Sequence, residues 1–312
     1  MILVTGGTGF VGKALVRNLV EAGHTVRTLI RPSSRSPNLP RGVAVEVAVC
    51  SLDDLRGLRA AMVGVDTVYH LAGVERRGAY ASLMNVDILG TRAVAQAAVD
   101  ARVDRIFYLS HLGADRASAF PVLKAKAIAE EFIRRSKLDY TILRTAVVYG
   151  PDDSFTTGLA RIIGTLPYFF FVPGNGRTQL QPLWVEDLVT CLTWALDDND
   201  TRNEMYEVGG PEFFTFTQIL EMIMETLDIR RRLVYLKPPY LRGVTVAFEA
   251  LFPGLPVSVY WLDYLAANRI CALDTVPRVF NLMPARISQR LEHLRNYNWR
   301  RAMLRTLIRR RG

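Results

Sequence analysis

The sequence has no uninterrupted apolar run of the ~18 residues that a membrane-spanning helix needs, so no such helix is expected. It opens with Met1-Ile2-Leu3-Val4-Thr5-Gly6, without the basic region and longer apolar region of a secretory signal. Cysteine is scarce and odd in number. Cys50, Cys191 and Cys271 are far apart, no metal-binding or redox spacing links them, and no disulfide framework is implied. These absences point to a reducing, cytoplasmic compartment and to no metal site. The combination of low hydrophobicity and high charge that marks disorder is also missing, because half of the 312 residues are hydrophobic. A sizeable core is available.

The formal charge of +9 is unevenly spread. From Arg286 onward there are nine arginines, no lysine and one acid, Glu292, so this segment carries +8 and residues 1–285 only +1. The basic character therefore belongs to a tail. From Trp299 onward, Trp299, Met303 and Leu307 share one helical face, and Arg301, Arg305 and Arg309 share the opposite one. Such a helix suits an anionic membrane surface or an acidic partner. It equally suits docking of its apolar face on the protein's own body. Nucleic acid ranks last, because no basic patch with interleaved aromatics occurs elsewhere.

Strand and helix patterns alternate through the first half. Ile2-Leu3-Val4 reads as a buried strand, Val11, Leu15 and Leu19 recur at helical spacing, and Gly23 ends that helix as a left-handed cap. Further strands are expected at 25–30, 43–49, 66–71, 105–110 and 140–144, with helices at 53–62, 83–101 and 121–135. Pro121 suits a first helical turn. The alternation predicts a parallel sheet covered by helices on both faces. Beyond Gly150-Pro151 a smaller lobe is expected, returning to the sheet with a strand near 205–208. The apolar stretch 240–267 is either a helical lid over a pocket or a partner surface. The domain reading is a core at 1–150, a lobe at 151–285 interleaved with it, and the tail at 286–312.

Between the first strand and the first helix lies Thr5-Gly6-Gly7-Thr8-Gly9-Phe10-Val11-Gly12. Gly6 permits the tight turn, Gly9 lets the backbone approach a pyrophosphate, and Gly12 allows close packing of helix on strand. The helix N-terminus then presents unpaired N–H groups and the positive end of its dipole to the phosphates. In this strand–turn–helix context the motif reads as a dinucleotide cradle formed by Gly6, Thr8, Gly9, Phe10, Val11 and Gly12; a turn that binds nothing is the bland alternative. The fold class that follows is α/β, a Rossmann-type doubly wound parallel sheet with a smaller C-terminal lobe and a basic helical tail.

After the second strand, a protein that prefers NAD places a carboxylate for the ribose 2′-hydroxyl. Here the segment is Arg31-Pro32-Ser33-Ser34-Arg35, with no acid. Arg31 and Arg35 suit a 2′-phosphate through charge-assisted hydrogen bonds, so NADP(H) is expected over NAD(H). Two solvated loop arginines are the alternative.

These residues resemble the extended and atypical short-chain dehydrogenase/reductases, a family that includes the NAD-dependent epimerases and dehydratases. The resemblance reaches to about residue 295. His70-Leu71-Ala72-Gly73 resembles the family's segment beside the cofactor, and Asn85–Thr91 its next helix. Arg144–Pro151 resembles the segment near the nicotinamide, and Gln181–Leu188 the late substrate-side motif. The resemblance adds Leu71, Ala72, Gly73, Lys126, Thr145 and Val147 to the cofactor-binding candidates.

Family enzymes use a Tyr-x-x-x-Lys pair on one helix face and a nearby Ser or Thr; the tyrosine passes the proton and the lysine lowers its pKa. Lys126 matches the lysine, but four residues earlier stands Val122, which carries no proton. Lys124 has Phe120 in the corresponding place. Ser110 ends its strand while the usual serine position falls nearer Leu112, and Cys50 stands where an acid often meets the adenine. His111 either donates a proton, its unperturbed pKa being ~6.5, or is a hydrogen-bonded structural residue. The catalytic candidates are therefore Lys126, Ser110 and His111.

Within the family, Leu109-Ser110-His111-Leu112, Lys126, Gln181–Asp187 and Tyr297-Asn298-Trp299 resemble the accessory-subunit group of respiratory complex I known as alpha-subcomplex subunit 9. That likeness implies cofactor binding without classical turnover, as a structural or sensing subunit at a membrane complex, peripheral on its cytoplasmic face. The rival expectation is an NADP(H)-dependent reductase or epimerase with an unusual proton donor. Its hydrophobic substrate would be a quinone, isoprenoid or tetrapyrrole.

Overall fold

The computed structural model describes residues 1–33, 39–74, 82–251, 256–295 and 297–308, with side chains to 303 in the last segment. The first half runs β1 (Ile2–Thr5), α1 (Phe10–Glu21), β2 (Val26–Ile30), β3 (Glu46–Val49), α2 (Leu55–Ala61), β4 (Thr67–His70), α3 (Thr91–Asp100), β5 (Arg105–His111), α4 (Pro121–Arg134) and β6 (Asp139–Thr145). The second half runs β7 (Val148–Tyr149), α5 (Thr156–Thr165), β8 (Phe169–Pro173), β9 (Gln179–Leu180), β10 (Leu183–Trp184), α6 (Val185–Asp197), β11 (Glu204–Val208), β12 (Phe214–Thr215), α7 (Phe216–Thr226) and β13 (Arg232–Leu236). Helices α8 (Pro238–Leu251), α9 (Val259–Tyr264), α10 (Thr275–Phe280) and α11 (Trp299–Ile308) complete it.

Seven strands pair in parallel in the order β3-β2-β1-β4-β5-β6-β11. This is the doubly wound arrangement expected from the alternation, and β11 is the strand that returns from the lobe. The chain builds outward from β1 to β3, then resumes at β4 on the other side of β1. That reversal opens a crevice at the carboxyl ends of β1 and β4, where ligands bind in such sheets.

Both faces are covered. Leu15 and Leu19 of α1 pack with Leu188, Val189 and Leu192 of α6 on one face. Leu58, Val94, Ala98 and Ile133, from α2, α3 and α4, pack on the other. A third core in the lobe joins Ile163 of α5, Phe170 of β8, Ile219 and Ile223 of α7, and Leu291, Leu294 and Trp299. Arg105, fully buried, donates to the carbonyls of Ala195, Leu196 and Asp198 at the end of α6 and to the hydroxyls of Thr141 and Thr201. The C-terminal carbonyls of α6 are thereby satisfied by a cation.

Two findings add detail to the sequence expectations. The helix expected over 83–101 starts as a π-helix, Met84–Gly90, before tightening into α3. Its wider turn carries Asp87 into the interior. The helical pattern read from Trp299 onward forms α11, Trp299–Ile308. Short 3-10 turns at Ile287–Gln289 and Glu292–Leu294 bury Ile287, Leu291 and Leu294 against the lobe. The apolar face of α11 then docks on α5: Trp299 and Met303 are buried, the Trp299 indole N–H donates to Leu294, and the Arg300 Nε donates to the Gly164 carbonyl. Trp299 and Met303 of that face are covered by the protein itself, while Arg300 and Arg301 are exposed.

Candidate functional site

The turn after β1 is built by its glycines. Gly6 has φ of +76°, and its carbonyl accepts from the Gly9 N–H at 2.9 Å. A Cβ on Gly12 would lie 2.1 Å from the Gly6 carbonyl oxygen, so any side chain there would push α1 off the turn. Gly9 caps α1 without a side-chain bond. The N-terminal amides of α1 therefore point at the mouth of the crevice, with the electrostatics a pyrophosphate needs.

One cavity of about 220 Å³ runs from this turn across the sheet. Among the cofactor candidates it is lined by Gly6, Gly9, Phe10, Val11, Gly12, Leu71, Gly73, Lys126, Thr145 and Val147, joined by Ser110 and His111. Thr8 is exposed on the turn, and Ala72 packs against the core of the α2–α4 face. Arg31 is exposed directly after β2, away from the cavity lining; Arg35 lies outside the described residues. Cys50 is buried at the end of β3.

At the far end of the cavity, Lys126 and Asp87 form an ion pair of 3.3 Å with both side chains nearly inaccessible. Lys126 also lies 5.4 Å from the Tyr108 ring centroid. Asp87 accepts from the Val74 N–H. Behind them, His70 bridges the hydroxyls of Thr5 and Thr91 at 2.6 and 2.9 Å. Burial, reinforced by the charge of Lys126, draws the His70 pKa down to about 3, so its imidazole is neutral.

Ser110 is committed elsewhere. Its hydroxyl donates to Glu130 at 2.6 Å, and Glu130 is held by two bonds from Arg144. Burial thus turns the serine toward a structural ion pair linking α4 and β6. His111 instead faces α9, 6.2 Å from the Tyr260 ring and 6.5 Å from that of Tyr264. Val122 borders a small void of about 20 Å³ shared with His111, Tyr260, Tyr264 and Arg269. The buried Arg269 guanidinium lies 5.4 Å from the Tyr264 ring and donates to the Leu112 carbonyl. Burial lowers its pKa, while Tyr264 and Tyr260 raise it.

Tyr260, Trp261 and Tyr264 line the cavity with Val74, and none was among the sequence candidates. The tyrosine pair does carry the spacing of four that places two side chains on one helix face. It lies on α9, however, far in sequence from α4, where the family pattern directs attention. Trp261 also borders a second cavity, about 350 Å³, walled by apolar side chains such as Phe155, Leu159, Phe170, Phe171 and Phe248. The dinucleotide crevice and an apolar chamber thus share one wall. No cluster of metal-ligating side chains occurs among the described residues.

Comparison with known proteins agrees with this geometry. An NAD(P)H-binding family model matches residues 6–162, and an NAD-dependent epimerase/dehydratase family model matches 122–209. The chain belongs to the NAD(P)H-binding, epimerase-like short-chain dehydrogenase/reductase family. It is 30% identical over 281 residues to the mitochondrial NADH dehydrogenase (ubiquinone) 1 alpha subcomplex subunit 9 of Arabidopsis thaliana, covering 87% of this chain and 69% of that one. It is 32% identical to sterol demethylase protein B of Methylococcus capsulatus, over 80% of this chain and 81% of that one. It is 28% identical to a ceramide reductase of Caulobacter vibrioides, over 77% and 74%. An NADPH-dependent quinone oxidoreductase of Escherichia coli, solved with NADPH, shares the fold at a TM-score of 0.74 and 18% identity, covering 94% of this chain and 99% of that one.

Proposed function

We propose that this protein is an NADP(H)-dependent reductase of a hydrophobic carbonyl compound. The observation that carries the reading is the apolar chamber that shares the Trp261 side chain of α9 with the cavity at the dinucleotide crevice. The names of two relatives, a ceramide reductase and a sterol demethylase protein, support a lipid-like substrate class. Arg31, exposed after β2 where no acid stands, supports the phosphorylated dinucleotide.

When bound, the reduced nicotinamide supplies a hydride to the carbonyl carbon. The chain's residues do the rest. The amides at the start of α1 hold the pyrophosphate. Lys126, fixed by Asp87, binds the nicotinamide ribose, and Trp261 shields the reacting face from water. One of the α9 tyrosine hydroxyls takes the place of the missing hydroxyl at position 122 and donates its proton to the carbonyl oxygen as the carbon takes the hydride. The alcohol product departs and water returns a proton to the tyrosinate. The test is NADPH oxidation in the presence of long-chain ketones and quinones. Turnover that survives His111→Gln but falls at least ~100-fold in the Tyr260→Phe, Tyr264→Phe double variant supports this assignment.

A second reading rests on Val122 and on the likeness to the complex I subunit. In it the dinucleotide is held without turnover, and the protein acts as a structural or sensing component beside a membrane complex. Persistence of unoxidised NADPH with every such substrate favours this reading over the reductase.

A further inference from the structure

Helix α8 is built inside out. Tyr240, Val244, Phe248 and Leu251 recur at helical spacing, and all four face solvent, Tyr240 at 73% and Leu251 at 72% exposure. The inward face carries polar residues instead: Thr245 is 4% and Glu249 6% exposed, and the Glu249 carboxylate accepts from the Val259 N–H. A water-facing helix places these residue types the other way round. Exposed rings also stand on the β8–β13 pair, Phe169, Phe171 and Tyr235, and at Tyr168 before it; Phe171 borders the same chamber as Val244 and Phe248 of α8. A patch of this extent marks an interaction surface.

Its charge says which kind. Residues 229–251 hold Arg230, Arg231, Arg232, Lys237 and Arg242 against the single acid Glu249, whose carboxylate is turned inward. Arg230, Arg232 and Lys237 are exposed, and Arg242, also exposed, is ion-paired with Asp263 of α9. Aromatic and aliphatic side chains flanked by exposed cations match the interface of an anionic bilayer, where rings sit among the headgroups and cations meet lipid phosphates.

We infer that α8, with the adjoining β8–β13 edge, lies on an anionic membrane surface, and that this face rather than the apolar face of the tail makes the contact. Trp299 and Met303 of the tail are already buried against the protein. Leu241, Val244 and Phe248 also line the apolar chamber, so the exposed face of α8 borders the chamber's opening. Resting on the reductase reading, this arrangement gives a lipid substrate a route from the membrane to the crevice that avoids water.

The test is sedimentation of the full chain with vesicles of phosphatidylcholine containing phosphatidylglycerol, and with phosphatidylcholine alone, at low and high salt. The protein should pellet with the anionic vesicles and be released by salt. The Tyr240→Ser, Leu251→Ser double variant should bind about tenfold more weakly or worse, with an unchanged unfolding temperature because both side chains are exposed. The Arg300→Gln, Arg301→Gln variant should keep most of the binding. Absence of binding, equal binding by the Tyr240/Leu251 variant, or loss through the tail variant alone overturns the proposal. So does a concentration-dependent dimer that the Tyr240/Leu251 variant abolishes, which assigns the face to a second copy. Vesicle binding without NADPH oxidation removes the reductase reading and leaves the membrane face standing.

Discussion

At the scale of single residues, the buried polar groups beside the crevice decide both stability and chemistry. Lys126 and Asp87 neutralise each other in a site almost closed to water. Asp87→Ala leaves a buried cation without its counter-charge, and a loss of ~3–5 kcal/mol is expected in urea unfolding. His70 makes a pH-dependent contribution. Its pKa is about 3 in the fold and ordinary when unfolded, so between those values the unfolded chain binds more protons. Stability should therefore fall as pH drops below ~6.5, and His70→Gln should flatten that fall between pH 7.5 and 5. His293, whose pKa is also lowered chiefly by burial, leaves a residual slope. Val122→Tyr places a ring in a void of about 20 Å³ already walled by Tyr260 and Tyr264, so overpacking of ~1–3 kcal/mol should show as a lower unfolding temperature rather than as restored activity.

The same scale separates what the sequence tells from what it hides. Gly6, Gly9 and Gly12 are legible because their reasons are local: a positive φ, a tight turn and contact with the first carbonyl are all satisfied within eight residues. Asp87 was passed over because a π-helical turn, which residue patterns do not announce, sets its direction. Ser110 and His111 are adjacent in sequence yet serve opposite environments, because strand alternation turns one to Glu130 and the other to α9.

At the scale of elements, amphipathicity shows that a helix has an apolar face but not what covers it. The tail pattern allowed a membrane or the protein's own body, and Gly164 decides the outcome for Trp299. A Cβ on Gly164 would lie 2.7 Å from the Trp299 Cβ, so the missing side chain is what lets α11 sit on α5. Gly164→Val should loosen the tail at a cost of ~1–3 kcal/mol, read as faster proteolytic removal of the C-terminal segment. The apolar stretch at 240–267 was legible as lid or partner surface. Only the inverted burial of Thr245 and Tyr240 distinguishes its faces.

At the scale of the whole molecule, the doubly wound sheet follows from alternating strand and helix patterns, and the crevice follows from the reversal beside β1. The lobe was less legible, because its short strands and the packing of 286–303 against α5 and α7 depend on long-range contacts. Its role in walling the apolar chamber emerges only when α5, β8, α8 and α9 come together. A nucleotide that binds only the folded protein should raise its stability by about 2.7 kcal/mol at a hundredfold excess over Kd, visible as an upward shift of the unfolding temperature with NADPH.

The most direct test of the central claim is titration of the nucleotide-free protein with NADPH and with NADH, following nicotinamide fluorescence. Binding of NADPH at least ~10-fold tighter than NADH is the predicted result, with the preference reduced by Arg31→Glu. Binding of NADH as tightly as NADPH, or of neither, contradicts it.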